Sequence, residues 1–264
     1  MKTSGLIRLF ICAYLIFFIG NHGYAQMGIK WQKHFGGTGR EYEPLLLKTP
    51  DNNLIISFAT ESKDYDAIDN HGSIDILVIK TDLKGNKLWS RCYGGSSMEL
   101  HSDLSFDANG DILGSVTTWS RDGDVPSNAK GFEDRWVFKL DSLGEFKWSK
   151  RYGGSNTDEA PWIRIKTNGN IVSGGGSYSN DLDVPCNYGD IDDWILELSP
   201  EGEKVNSKVL GTKGYQQTYS GITTSDGGVL IASTTMKVSG MITGTCHGLY
   251  DTWLIKLDKD NNIE

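Results

Sequence analysis

The sequence predicts an all-β fold assembled from four repeats, and two observations carry that prediction. First, a tryptophan recurs as Trp31, Trp89 and Trp148 at a step of 58 or 59 residues, with Asn206 in the fourth slot. Behind each stands an aromatic-Gly-Gly element: Phe35-Gly36-Gly37, Tyr93-Gly94-Gly95 and Tyr152-Gly153-Gly154, decaying to Leu210-Gly211-Thr212. Second, every unit alternates short period-two apolar runs with Gly- and Asn-containing turns and shows no helical periodicity. Repeats of this length cannot bury their own apolar faces and must stack on one another. Four short antiparallel strands per repeat is the composition of a β-propeller blade. A β-solenoid is the alternative, although its coils are usually shorter and lack three hairpin turns per unit.

The second repeat shows the elements in order. A strand over 103–107 leads into the turn Ala108-Asn109-Gly110 and a second strand over 111–118. The matching turns are Asp51-Asn52-Asn53, Asn168-Gly169-Asn170 and Asp226-Gly227-Gly228, whose Asn and Gly residues tolerate the positive φ of tight hairpins. An irregular stretch follows, and the chain re-enters a strand at 134–141. Trp136, Phe138 and Leu140 share one face there, as do Trp194, Leu196 and Leu198, and Trp253, Ile255 and Leu257. Leu77, Ile79 and Thr81 are a weaker copy in the first repeat. A last hairpin, Asp141-Ser142-Leu143-Gly144, turns the chain into a fourth strand over 145–152.

The repeats run over about 38–95, 96–154, 155–212 and 213–264, with an additional N-terminal strand over 29–37. The last repeat matches only as far as its third strand and turn. The N-terminal strand is therefore expected to complete it and close a four-bladed ring, which removes exposed sheet edges. The other reading is a fragment of a longer array.

Residues 1–25 read as a cleaved signal peptide. Lys2 and Arg8 begin it, Leu9 to Gly20 is an apolar core too short for a lasting membrane span, and Gly23-Tyr24-Ala25 supplies small residues for cleavage. The repeat domain is then 26–264, with no membrane span expected in the mature chain. The whole chain carries a net charge of −8, and loss of Lys2 and Arg8 makes it more acidic still. That balance excludes nucleic acid, whose phosphates need basic patches. Cys92, Cys186 and Cys246 remain after cleavage, and Cys186 and Cys246 occupy nearly the same loop in consecutive repeats, so a disulfide between them is one expectation.

The pattern Trp-x-x-x-Tyr-Gly-Gly, followed by Asp-x-Trp and Lys-Leu-Asp-x-x-Gly-x-x-x-Trp, resembles a family of secreted bacterial repeat proteins. The resemblance covers Trp31 to Asp258. It implies a β-propeller of a surface or exported protein of a Gram-negative bacterium, in a family whose members often end in a type IX sorting domain, and it implies no established activity. This chain departs in having four repeats and no such domain. The hairpin from Asp141 to Trp148 also looks like the tryptophan-docking motif of quinone-dependent dehydrogenases and, vaguely, the Asp-box of sialidases, but its spacing differs from both.

The long connections over 61–74, 119–133, 178–191 and 235–250 are the best place for binding, because long loops on a rigid scaffold carry function. Three contain Asp-x-Asp: Asp64 and Asp66, Asp122 and Asp124, Asp181 and Asp183. Such carboxylates suit a hard cation such as Ca²⁺; equally, they form side-chain-to-backbone turns. Trp119, Tyr178 and Tyr188 either stack on sugar rings or pack the loops down. Glu41, Glu99 and Asp158, with Gln216 fourth, form a symmetric acidic set at the channel, read either as acid–base groups or as ligands of backbone amides. The histidines have no metal-ligand spacing, and the glycine runs lack a phosphate-loop setting.

The expected function is that of a secreted, non-enzymatic binding or scaffold protein at the bacterial cell surface or exterior, with the periplasm as a second location. It takes an extracellular protein or glycan through the long loops of one face. No catalytic residue or metal ligand is assigned, and calcium is the one cofactor considered. Two alternatives stand beside it: an extracellular polysaccharide hydrolase or lyase using channel carboxylates, and a structural module of a larger surface repeat protein.

Overall fold

The computed structural model describes residues 28–236, 240–243, 245 and 247–264. The expected signal peptide and Cys246 lie outside them. Cys92 and Cys186 carry no disulfide. The chain forms two units, one ending at Lys33 and the other running from His34 to Glu264.

Fifteen strands, with no helix among the described residues, make four antiparallel sheets in a β-propeller-like arrangement. The first sheet holds β1 (Glu41–Lys48), β2 (Leu54–Thr60), β3 (Asp75–Thr81) and β4 (Lys87–Tyr93). The second holds β5 (Glu99–Phe106), β6 (Ile112–Thr118), β7 (Asp134–Leu140) and β8 (Phe146–Tyr152). The third holds β9 (Trp162–Ile165), β10 (Ile171–Ser177), β11 (Asp192–Leu198) and β12 (Lys204–Leu210). The fourth holds β13 (Gln216–Thr223), β14 (Val229–Thr235) and β15 (Asp251–Leu257). Each strand pairs with its sequence neighbour, so local hairpins define every sheet.

The expected strand over 29–37 is not present, because residues 28–37 enter no ladder. At its end Gly36 N donates to Asp66 and Gly37 N to Glu41, both at 3.1 Å, as the Gly94–Gly95 and Gly153–Gly154 pairs do after β4 and β8. The fourth sheet accordingly has three strands.

The turns form as their residues dictate. In the β5–β6 turn the Asp107 carboxylate accepts the amides of Asn109 and Asp111 at 2.8 and 3.0 Å. The chain reverses through Gly110 at φ 81°, and Asn52 fills the matching position at φ 64°. The β7–β8 turn repeats this chemistry with Asp141 accepting from Leu143 and Glu145.

The core lies between sheets. Trp136 and Phe138 of β7 pack back onto Tyr93 of the first sheet, with Phe138 stacked on Tyr93 at 5.9 Å. Trp194 and Leu196 pack in the same way onto Val137 and Tyr152, and Ile195 onto the fourth sheet's Val229 and Ile231. Burying a large apolar side chain fully contributes about 1.5–3 kcal/mol, and Trp136, Trp162 and Trp194 are all enclosed.

The repeated aromatics are also polar latches. Trp89 Nε1 donates to Ser142 O at 3.3 Å and Tyr93 Oη to Gly144 O at 2.7 Å, both in the last turn of the following sheet. Trp148 Nε1 makes the equivalent bond to Pro200 O at 3.1 Å, and Tyr152 Oη donates to Gly202 O. At the third junction, where Asn206 and Leu210 stand, lysines take over: Lys166 Nζ reaches Lys259 O at 2.7 Å and Lys208 Nζ reaches Asn261 O at 2.6 Å.

One core group is out of keeping. Asp193 sits in the slot that Ile76 and Arg135 fill in the earlier sheets, fully buried, with neither carboxylate oxygen hydrogen-bonded. Burial pushes its pKa up to about 8 against the nearby dipoles of Ser233 and Thr218. Folded Asp193 therefore keeps its proton to about pH 8, whereas an unfolded aspartate releases it near 3.8. The group costs stability progressively as pH rises between those values. Asp193→Asn is expected to raise the melting temperature at pH 8, by about 1–3 kcal/mol in stability, and to change little near pH 4; calorimetry at the two pH values measures the difference.

Candidate functional site

The long loops bind the chain's own backbone. In the second repeat Gly94 N donates to Asp124 at 3.2 Å and Ser96 N to Asp122 at 2.7 Å. In the first, Gly36 N and Thr38 N donate to Asp66 and Asp64; in the third, Gly153 N and Ser155 N donate to Asp183 and Asp181. The Ser96 amide holds the Asp122 carboxyl below its ordinary range. The Asp-x-Asp pairs are thus clasps on the Gly-Gly segments, and no group of three or more metal-ligating side chains occurs among the described residues.

The symmetric set of Glu41, Glu99, Asp158 and Gln216 is clasped in the same way. Glu99 accepts from Gly95 N at 3.0 Å and Thr118 Oγ1 at 2.6 Å, Asp158 from Gly154 N at 2.7 Å and Ser179 Oγ at 2.9 Å, and Glu41 from Gly37 N and Ser62 Oγ. The fourth member, Gln216, accepts from Thr212 N at 2.7 Å. Glu99 and Asp158 are wholly buried, which raises both carboxyls, that of Asp158 to about 6. Neither presents an oxygen to solvent, so these acids support the fold.

A second polar group lies beside them and is open. Glu133, the residue before β7, is half-buried. Its pKa is raised by burial first and then by the charge of Glu159, against lowering bonds from the side chains of Trp119 and Thr157. Glu159 accepts from the Gln217 side-chain amide. Gln217 in turn accepts from the hydroxyls of Tyr215 and Tyr219, the latter at 2.6 Å. Tyr215 meets Tyr250 edge to face at 5.8 Å. Tyr178, half in solvent, is raised in pKa by burial and by the charges of Glu159 and Glu133. His101, whose charge also reaches Glu133, pairs with Glu43 at 3.0 Å. Both His101 and Glu43 sit in strand bulges at positive φ (53° and 54°), a backbone state that costs energy for residues other than glycine.

Of the aromatics expected to bind, Trp119 and Tyr178 therefore belong to this cluster. Tyr188 lies apart, in a cleft of about 470 Å³ with Lys213 and Met241. The sequence reading missed Glu133, Glu159, Gln217 and Tyr215. Their signal is disagreement between repeats. The slot before the third strand reads Ile74, Glu133, Ile191, Tyr250, and the second residue of the first-strand slot reads Tyr42, Leu100, Glu159, Gln217. Tyr42, Leu100 and Ile74 from these slots pack on the core, whereas Glu133, Glu159, Gln217 and Tyr250 gather in one place. Two carboxylates in unequal surroundings, ringed by tyrosines and a tryptophan, can exchange a proton with a ligand stacked on the aromatic faces.

No family model matches the chain. Regulatory protein FlaEY of Caulobacter vibrioides is 28% identical over 124 residues, which is 45% of this chain and 13% of that protein's length. Among solved structures, the α-L-arabinofuranosidase of Fusarium graminearum superposes with a TM-score of 0.50 at 10% identity, over 86% of this chain and 66% of that one. A thermostable family-43 glycoside hydrolase gives 0.48 at 12% identity, over 88% and 73%. An endo-1,4-β-xylanase of Bacteroides thetaiotaomicron gives 0.42 at 13%, over 86% and 76%. The expectation of a non-enzymatic binding or scaffold protein is corrected here, since the solved structures that share this fold include an enzyme, the arabinofuranosidase.

Because the clasp carboxylates already hold amides, Asp122→Ala should lower the melting temperature. The loss should be the same with and without millimolar Ca²⁺ in parallel thermal melts.

Proposed function

We propose that this chain is an extracellular polysaccharide hydrolase whose reacting groups are Glu133 and Glu159. The carrying observation is the pairing of a half-buried carboxyl of raised pKa with a second carboxylate, inside a cluster of aromatic side chains. Glycoside hydrolysis needs one protonated carboxylic acid to protonate the leaving oxygen, and one carboxylate to attack the sugar or activate water. Glu133 suits the acid role, because burial and the charge of Glu159 favour its neutral form. Glu159 suits the second role, oriented by the Gln217 amide, which Tyr215 and Tyr219 hold in turn. Trp119 and Tyr178 supply faces on which sugar rings stack. The fold likeness to an arabinofuranosidase supports pentose-containing plant polysaccharides as the first substrates to assay. Export to the cell exterior, and a ring of four repeats in the manner of the secreted repeat family, are parts of the same proposal.

Glu133→Gln and Glu159→Gln should each lower turnover of arabinan or xylan oligosaccharides by about 10²–10⁴-fold, with melting temperatures close to that of the unaltered chain. A raised folded pKa keeps Glu133 protonated to higher pH than an ordinary glutamate. Activity should therefore fall on the alkaline side, and Glu133→Gln should abolish that limb of the profile. Undiminished turnover in both variants would overturn the assignment.

A further inference from the structure

Arg135, the second residue of β7, is a charged side chain with no exposure to solvent. The slot it fills holds Ile76 in the first sheet, equally buried, so packing alone does not require a guanidinium there. A buried cation is costly unless its donors are met, and Arg135 meets them on the main chain of the third repeat. Nε and Nη2 both donate to Glu159 O, at 3.0 and 2.6 Å. Nη1 donates to Ser173 O at 2.9 Å and Nη2 also to Trp194 O at 3.2 Å. The guanidinium lies over the Trp194 ring, 4.2 Å from its centroid. Burial lowers its pKa, and the charges of Asp158 and Glu159 oppose that shift.

The fork closes on a residue that is held on either side as well. Glu159 N donates to Gly176 O at 2.9 Å, and Ala160 N to Thr117 Oγ1 at 3.0 Å. Gly175 permits the close approach, since a Cβ there would stand 2.1 Å from Glu159 O. Beside it Asp158 N donates to Glu133 O at 2.9 Å. The backbones of the two glutamates are therefore tied at one seam, next to Arg135.

We propose that Arg135 is a positioning residue of the glutamate pair: by gripping the Glu159 carbonyl it fixes the Glu159 carboxylate beside Glu133. Its role in hydrolysis rests on the reading of Glu133 and Glu159 as the reacting groups. A planar fork that places two donors on one oxygen fixes direction, which an ammonium does not. A misplacement of about 1 Å at a reacting group costs about 10²-fold in rate.

Carbon-13 NMR titration of the Glu133 carboxyl, with turnover of arabinan oligosaccharides in parallel, tests this. Glu133 is faced by Glu159, His101, Tyr178 and the side chains of Trp119 and Thr157, and the charge of Glu159 raises its midpoint only while held close. Glu159→Gln should move that midpoint down and gives the full size of the effect. Arg135→Lys retains a cation and loses the fork. It should move the midpoint part of the way down and lower kcat about 10²-fold with KM little changed. An unmoved midpoint in either folded variant would overturn the proposal. In the unaltered chain the Arg135 Nε–H should exchange slowly with solvent, and rapid exchange would overturn the grip even where Arg135→Lys does not fold. Shifted midpoints in a chain that turns over no polysaccharide would uphold the positioning role and remove the hydrolase reading instead.

Discussion

The first two junctions between sheets depend on satisfying the backbone amides of the Gly-Gly segment that leads from one sheet to the next. A buried carboxylate from the start of the new sheet takes one amide, and the aspartates of the next long loop take two more. An unpaired buried amide costs about 1–3 kcal/mol, so the clasp cannot be omitted. Glycine is required because a Cβ on Gly94 would fall on the carboxylates of Asp75 and Glu99. The acidic composition of the loops follows from this need.

The aromatic latches add direction to the clasp. Tryptophan and tyrosine each bury an apolar body and reach a carbonyl of the following turn with one polar atom, so a single residue type serves packing and hydrogen bonding at once. Where the third junction has lost both aromatics, two lysines reach the same turn. Ammonium groups replace the hydrogen bonds without replacing the ring contacts.

Much of this was legible in the sequence because it repeats. The four turns, the long loops and the strand faces of Trp136 and Trp194 were readable from period and spacing, since turn chemistry and alternation are local. The strand expected over 29–37 was not obtained, because a strand-like sequence does not say which strand, if any, will pair with it. Asp122 and Asp124 looked like cation ligands for the same reason: the amides they bind come from about 26 to 30 residues away. Glu133 and Glu159 were invisible to a search for shared motifs, since no other repeat carries an acid in either slot. Trp119 and Tyr178 were found as aromatics near a loop, but the carboxylates that give them a context are brought in by the fold.

Some slots join sheets and others form the proposed site, and Glu133 belongs to the second kind under that proposal. The sister repeats place Ile74 and Ile191 where Glu133 stands. Calorimetric melting of Glu133→Ile tests the separation directly. The melting temperature should stay level or rise, because an aliphatic side chain replaces a half-buried carboxyl whose charge is disfavoured there. A fall as large as that caused by removing a latch hydroxyl, as in Tyr152→Phe, would show that Glu133 holds the sheets together and would contradict its place in the site.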